Sequence, residues 1–308
     1  MNRRSTLMLP LLAALPAGAQ APLAFPTAGA GSAFLPYGEG IAAWLGRQGL
    51  AVQVERSTGS LQNLARVEDD ANAIGCAFLG SVKDALDGTP AAGGRRHTRL
   101  AALFPMYETS FQVAAPRRSG ITDFAGLAGK RVGVGPAGGP AETFFRLAAD
   151  TAGIGATTVG GDPAALVDTL ARGEIDALWQ GAIVPIPSLA AAVQRADAQV
   201  FGLPPALVAA VTRRAPHLSP STTPAGTYAG QAAPLESFAA WNVVVANAAM
   251  PDRQAYDLTR LVLSAPDPAR DIHPTAAATR AANAPLNRLL PYHPGAARHY
   301  REQGIRLT

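Results

Sequence analysis

The sequence has a single cysteine, Cys76, so no disulfide can form within the chain. Charged residues make up only 16% of the chain and aromatic residues 6%. The 26 basic and 22 acidic residues are scattered rather than gathered in a stripe, which argues against a nucleic-acid partner. The five histidines show no metal-ligand spacing, and we expect no cofactor.

Long apolar runs are also absent beyond the N-terminus. Arg3 and Arg4 precede an apolar run over residues 7–15, and small residues follow at Ala17-Gly18-Ala19. This pattern is typical of a secretory signal peptide, which we place at residues 1–21. No later stretch reaches the roughly 18 apolar residues that a transmembrane helix needs, so we expect a protein that is not membrane-embedded.

A glycine-rich stretch at residues 129–146 combines a strand, a loop and a helix. Residues 131–134 form a short apolar run, Gly135, Gly138 and Gly139 follow it, and Pro140 suits the first position of a helix. The pattern predicts a pocket for an anion at a helix N-terminus. A dinucleotide fingerprint is the competing interpretation, but an exported chain has little access to NAD.

The same order of strand, small-residue loop and helix recurs along the chain. Strands predicted at residues 23–27, 51–55 and 73–79 are each followed by a loop that contains Gly or Ser, and those at 157–159 and 175–179 likewise. Ser60 and Asp162 are predicted N-caps of the helices that follow them. Loops at the carboxyl ends of parallel strands are where open α/β sheets bind ligands.

Two crossings of the chain divide this pattern into two α/β lobes. The extended residues 109–116 lead out of the first lobe, and residues 226–245 lead back. We predict lobe I at residues 22–113 and 228–308, lobe II at 114–227, and a two-strand hinge that allows closure on a ligand.

Five blocks of sequence together resemble the TAXI-type solute receptors of TRAP (tripartite ATP-independent periplasmic) transporters. The blocks are TAGAGSAFLPYG at residues 27–38, STGSLQNL at 57–64, DFAGLAGKR at 123–131 together with the glycine loop that follows it, TTPAGTYAGQ at 222–231, and PYHPGAARHYREQG at 291–304. They cover nearly the whole mature chain in the family's order.

The resemblance implies a type II periplasmic-binding-protein fold, no enzymatic activity and a periplasmic location. It also implies a monomer that captures a glutamate-like or dicarboxylate-like anion or amino acid and passes it to a TRAP membrane permease. Matched by position, the ligand-binding residues implied are Gly31, Ser32, Tyr37, Thr58, Gly59, Ser60, Asn63, Ser81, Gly138, Gly139, Thr143, Gln180, Gly181 and Pro185.

Several of these residues have a structural alternative. Tyr37 either lines the cleft or packs on its helix, and Asn63 either bonds ligand or caps its own turn. Gln180 is the strongest polar candidate, because a buried amide at a strand end needs partners. An exported enzyme using Glu142 or Cys76, or a ligand sensor, is the alternative function.

Two departures from the family pattern suggest a different ligand. Many relatives have Gln-Ser-Asp after the third strand, where this chain has Leu79-Gly80-Ser81. Many also have Ser-Gly-Thr in the glycine loop, where this chain has Gly138-Gly139-Pro140. The second change removes one hydroxyl donor and one amide.

Overall fold

The computed structural model describes residues 21–29 and 32–307. Its strands are β1 Leu23–Pro26, β2 Val52–Glu55, β3 Ile74–Phe78, β4 Leu100–Pro116, β5 Arg131–Gly133, β6 Thr157–Val159, β7 Ala177–Ala182, β8 Ala198–Phe201, β9 Leu218–Thr223 and β10 Leu235–Asn247. Its α-helices are α1 Phe34–Arg47, α2 Ser60–Asp69, α3 Leu79–Asp87, α4 Pro140–Ala152, α5 Pro163–Ala171, α6 Pro187–Arg195, α7 Pro205–Arg214, α8 Asp252–Leu263, α9 Pro268–Asp271 and α10 Pro294–Glu302. Residues 1–20 of the predicted signal peptide, and Gly31, lie outside the described residues.

One mixed sheet runs through the molecule in the order β3-β10-β4-β7-β5-β6, with β8 beside β4 and β9 beside β10. A separate parallel pair, β1 and β2, adjoins it through a bridge between Ala24 and Ala73. The parallel strands β5, β6 and β7 are followed by helices, as their short apolar runs predict.

The long antiparallel strands β4 and β10 join two α/β lobes. In lobe I, the first half of β4 pairs with the second half of β10, which also pairs with β3. In lobe II, the second half of β4 pairs with β7 and β8, while the first half of β10 pairs with β9. The fold is therefore two α/β lobes connected by a two-strand hinge, as the sequence predicts.

Buried apolar side chains stabilise each lobe. An extended core cluster includes Phe25, Ile41 and Leu45 from lobe I, and Val132, Phe145 and Trp179 from lobe II. Helices α8 and α10 pack together and against lobe I, where the sequence places the C-terminal segment. Removing this much apolar surface from water is the main favourable contribution to folding.

Three local predictions need correction. The strand expected over residues 109–116 begins earlier, at Leu100, because it pairs along its whole length with β10 and its neighbours. Ser60 is the first residue of α2 rather than its N-cap, which is Gly59. Ser81 lies in the first turn of α3 rather than in a loop, because that helix begins at Leu79.

Candidate functional site

A cavity of about 490 Å³ opens between the lobes where β4 and β10 cross. Its lobe I wall consists of the turns that follow β1 and β2, and its lobe II wall of the turn after β5 and the end of β7. Small-molecule sites in proteins usually have cavities of roughly 300 to 1,000 Å³. The cavity therefore has the size and the place of a ligand site.

The N-terminus of α2 contributes donors to this cavity. Thr58, Gly59 and Ser60 line it. Gly59 is the N-cap residue with φ of 116°, a conformation that favours glycine, and it has no side chain that could occupy the first-turn amides. The amides of Thr58 and Gly59 themselves donate to Gln62 Oε1 and Ser57 Oγ, so the unpaired amides begin at Ser60. Unpaired amides at a helix start carry the equivalent of about half a positive elementary charge. This end of α2 is suited to an anionic or acceptor group.

The glycine loop before α4 has its own internal partner. The Gly138 amide donates to Glu142 Oε2 at 2.7 Å, and the Gly139 amide donates to the Pro136 carbonyl at 3.0 Å. The hydrogen bond from Gly138 lowers the pKa of the Glu142 carboxyl, and Arg146 lowers it further. The loop contributes Pro136, not these amides, to the wall of the cavity.

Gln180 is the one cavity residue among those described whose buried side-chain nitrogen has no partner. The side chain is only 4% exposed, and its Nε2 forms no hydrogen bond. It lies on β7 opposite Gln112 of β4, at the floor of the cavity. Leaving a buried donor unsatisfied costs about 1 to 3 kcal/mol, so an acceptor placed beside this amide would be favourable.

The hinge strands supply a polar group that the sequence did not reveal. Asn242 of β10 is almost fully buried and donates from Nδ2 to the Tyr107 carbonyl and to Thr109 Oγ1, both at 3.0 Å. All three residues line the cavity. In the sequence, this polar group is indicated by the asparagine within the otherwise apolar run of residues 238–246.

Aromatic rings form the apolar part of the wall. Phe111 stacks on Trp179, with ring centroids 5.7 Å apart and an interplanar angle of 14°. The Trp179 indole nitrogen donates to the Ala141 carbonyl at 2.9 Å, which fixes the start of α4 against β7. Phe34 and Phe78 from lobe I complete this surface.

No charged side chain, and no histidine, occurs among the described residues that line the cavity. The described lining therefore offers amide, hydroxyl and helix dipoles.

The structure brings part of the predicted site together and separates the rest. The predicted residues that line the cavity are Ser32, Thr58, Gly59, Ser60, Gln180 and Gly181. Ser81, Gly138 and Thr143 instead line a neighbouring cavity of about 320 Å³. Gly139 and Pro185 line neither of the two.

Tyr37 and Asn63 form hydrogen bonds within lobe I, and Asn63 bonds to neighbouring strands rather than capping its own turn. The Tyr37 hydroxyl lies 2.9 Å from Thr279 Oγ1 in the core of lobe I, and burial raises the pKa of Tyr37 well above its usual value. Asn63 donates to the carbonyls of Thr27 and Cys76 at 2.7 and 2.8 Å, which ties α2 to β1 and β3. Neither residue is among those that line the cavity.

Two features are absent from residues 21–29 and 32–307. No helix there is long and apolar enough to cross a membrane. Within the same ranges, no group of three or more His, Cys, Asp or Glu side chains could hold a metal ion.

A model of the NMT1-like family matches residues 25–304. The solved structures similar to this one include Rpa4515 of Rhodopseudomonas palustris with adipate, which is 14% identical with a TM-score of 0.53 and covers 92% of this chain and 93% of that chain. MatC from the same organism, with bound malate, is 14% identical with a TM-score of 0.51 and covers 83% and 88%.

A TctC solute binding protein from Polaromonas is 13% identical, with a TM-score of 0.54 over 77% of this chain and 81% of that chain. At such low identity these likenesses show the fold alone. It is the two-lobe periplasmic-binding-protein fold, as the sequence predicts. A comparison with proteins of curated function found no match.

Proposed function

This chain belongs to the NMT1-like family, and we propose that it is a periplasmic solute-binding receptor for a small organic anion. The observation that carries this proposal is the buried Gln180 amide, whose donor is unpaired in the cavity between the lobes. A ligand carboxylate would satisfy that donor and would face the N-terminus of α2 at the same time.

The neutral lining favours a dicarboxylate-like ligand over a glutamate-like amino acid. An α-ammonium group is usually paired with a carboxylate when it is buried, and no Asp or Glu is among the described residues that line the cavity. Two structures of the same fold hold malate and adipate, which are both dicarboxylates. The affinity for a glutamate-like ligand, compared with that for a dicarboxylate, measures this preference.

Closure of the lobes about β4 and β10 would complete the site. The cavity has walls from both lobes, and the hinge residues Tyr107, Thr109 and Asn242 form part of it. A bound anion would contact both lobes and so stabilise the closed form over the open one. Removing water on closure would strengthen the dipole contacts to the carboxylate.

Delivery to a TRAP-type membrane permease follows from the resemblance of the five sequence blocks to TAXI-type receptors. The signal peptide expected at residues 1–21 would bring the protein to the periplasm, where such a receptor meets its permease. The alternative of an exported enzyme has little support in the side chains. Cys76 is fully buried, and Glu142 is held by Gly138 and Arg146.

Isothermal calorimetry of the mature protein tests this function with succinate, malate, adipate and glutamate. We expect a dicarboxylate to bind and Gln180→Met to lower its affinity by about tenfold or more, the loss typical of a hydrogen bond to a charged acceptor. The matched control is Gln53→Met, at an exposed position on β2. Equal affinities of wild type and Gln180→Met would show that this amide does not bind the ligand. Chemical turnover of a ligand would contradict the proposal that the protein is a receptor.

A further inference from the structure

A second cavity lies beside the first one in the same cleft between the lobes. It has a volume of about 320 Å³ and lies between α3 of lobe I and α4 of lobe II. Phe78 and Pro140 line both cavities, so the two spaces meet at these residues. The cleft is therefore longer than the cavity around Gln180.

The second cavity differs from the first in its chemistry. Ser81 and Lys83 of α3 line it from lobe I, and His217 lines it from lobe II. Burial lowers the pKa of His217, the Lys83 ammonium lowers it further, and the Asp84 carboxylate partly offsets both effects. A hydroxyl, an ammonium and an imidazole thus converge as donors.

Two carboxylates lie near these donors, one hydrogen-bonded to a neutral hydroxyl and the other paired with Lys83. Asp84 also lines the cavity, and its Oδ1 accepts a hydrogen bond of 3.2 Å from Thr89. Asp87 pairs with Lys83 one turn along α3, in a salt bridge exposed to solvent. Exposed pairs of this kind contribute about 0 to 1 kcal/mol, so the Lys83 ammonium can exchange this partner for a ligand carboxylate at little cost.

The junction between the cavities is apolar. Phe78 packs edge-on against Phe144, with ring centroids 5.8 Å apart, and Leu61 and Leu147 line the second cavity close by. Such a surface suits methylene groups and disfavours a charge. The polar groups of the cleft are thus separated by an apolar stretch.

We propose that the two cavities form one elongated site for a linear dicarboxylate. One carboxylate lies beside Gln180 and the N-terminus of α2, and the methylene chain passes Phe78 and Pro140. The second carboxylate is held by Ser81, Lys83 and His217. This inference rests on the proposed function and specifies the length and the two charged ends of its ligand.

Calorimetry with a series of linear dicarboxylates tests the inference: succinate, adipate, suberate and sebacate. For wild type we expect affinity to rise from succinate to a longer member, because only a longer chain reaches both sets of donors. In the variant Ser81→Ala/Lys83→Gln, affinity for the preferred longer member should fall by about tenfold, whereas affinity for succinate should stay within about twofold. His217→Gln should lower the affinity for the longer member selectively as well.

The control variant is Ser188→Ala/Lys130→Gln, which makes the same chemical changes at residues that line neither cavity. It should bind every dicarboxylate as wild type does. Octanoate, which matches suberate in length but has one carboxylate, should bind at least tenfold more weakly than suberate. Thermal midpoints of all variants show that each one is folded.

Three outcomes would overturn the elongated site while the proposed function stands. They are succinate binding as tightly as the longer members, equal losses for short and long dicarboxylates in Ser81→Ala/Lys83→Gln, and octanoate binding as tightly as suberate. If the proposed function fails, the result is different. No dicarboxylate then binds the wild-type protein, and Gln180→Met has no measurable effect on affinity.

Discussion

The Glu142 carboxylate accepts a hydrogen bond of 2.7 Å from the Gly138 backbone amide, at the start of α4. The glycine loop that the sequence marks as an anion site thus holds a carboxylate of its own chain. Arg146, one turn later on α4, donates from Nη2 to the other oxygen of Glu142 at 2.5 Å. The anion-binding geometry is present, but it serves the stability of lobe II.

We predict that Glu142→Gln lowers the free energy of unfolding by about 1 to 2 kcal/mol at neutral pH, because hydrogen bonds to a charged acceptor are lost. The pKa of this carboxyl is lowered below its usual 4.5. Its contribution is therefore complete above that value and is lost as pH falls through the lower, folded-state pKa. Urea denaturation across this acidic range should show the difference between wild type and variant disappearing.

The matched control for this prediction is Glu39→Gln, at an exposed position on α1. It should change the stability by no more than about 0.5 kcal/mol. A Glu142→Gln protein as stable as wild type at neutral pH would show that the loop does not depend on its internal carboxylate.

Glu108 on the hinge strand β4 has the opposite titration behaviour. Burial raises the pKa of its carboxyl above 4.5, and a hydrogen bond of 2.8 Å from Ser221 partly offsets the rise. The charged form is thus disfavoured in the folded state, so stability falls as pH rises from 4.5 through the folded-state pKa. We predict that Glu108→Gln raises the thermal midpoint at neutral pH, with a gain that fades below pH 4.5.

A second hinge-strand variant, Glu236→Gln, serves as the control for Glu108. The Glu236 carboxylate accepts from Thr222 at 3.0 Å at the half-buried start of β10. It should leave the thermal midpoint almost unchanged. A Glu108→Gln protein that melts below wild type at neutral pH would mean that the charge at Glu108 stabilises the hinge.

Local patterns in the sequence predict much of this fold correctly. The bounds of β6 and α8 agree with the apolar patterns, and α4 begins at Pro140 as predicted. Proline, glycine and short apolar runs act within a few residues, so they can be recognised without tertiary information. The order of strands and loops was enough to place the cleft between two lobes.

The candidate site is less predictable because its contacts join distant parts of the chain. The Tyr37 hydroxyl contacts Thr279, 242 residues further along the chain, and the Tyr37 side chain therefore lies in the core of lobe I. Asn242 reaches Tyr107 and Thr109 only because β10 pairs with β4. Gln180 was the exception, since a polar amide at the end of a buried strand is a local signal for an unmet hydrogen bond.

The N-cap of α5 is a local prediction that the structure confirms. Asp162 Oδ1 accepts from the amides of Ala164 and Ala165 at 2.9 and 3.2 Å. We expect Asp162→Ala to lower the free energy of unfolding by about 1 kcal/mol, the usual cost of losing such a cap. Asp162→Asn, which keeps the capping oxygen, should recover most of that stability in urea denaturation. Equal losses in both variants would assign the effect to the charge instead of the cap.

Gly181 is kept free of a side chain by the aromatic cluster beneath the cavity. It pairs with Phe111 across β7 and β4, and a Cβ at Gly181 would lie 2.2 Å from an edge carbon of the Phe111 ring. Phe111 cannot move aside easily, because it packs against Trp179, Phe144 and Phe238. The glycine therefore preserves both the ring packing and the shape of the cavity.

We accordingly predict that Gly181→Ala lowers the free energy of unfolding by about 1 to 3 kcal/mol, the usual cost of overpacking a core, and weakens dicarboxylate binding. Gly46→Ala in α1 is the control, because a Cβ there would have nothing within 4 Å. That change should raise the stability by about 0.5 to 1 kcal/mol, as alanine favours a helix over glycine. Urea denaturation and calorimetry measure both effects. Wild-type stability in Gly181→Ala would show that the Phe111 ring yields without cost.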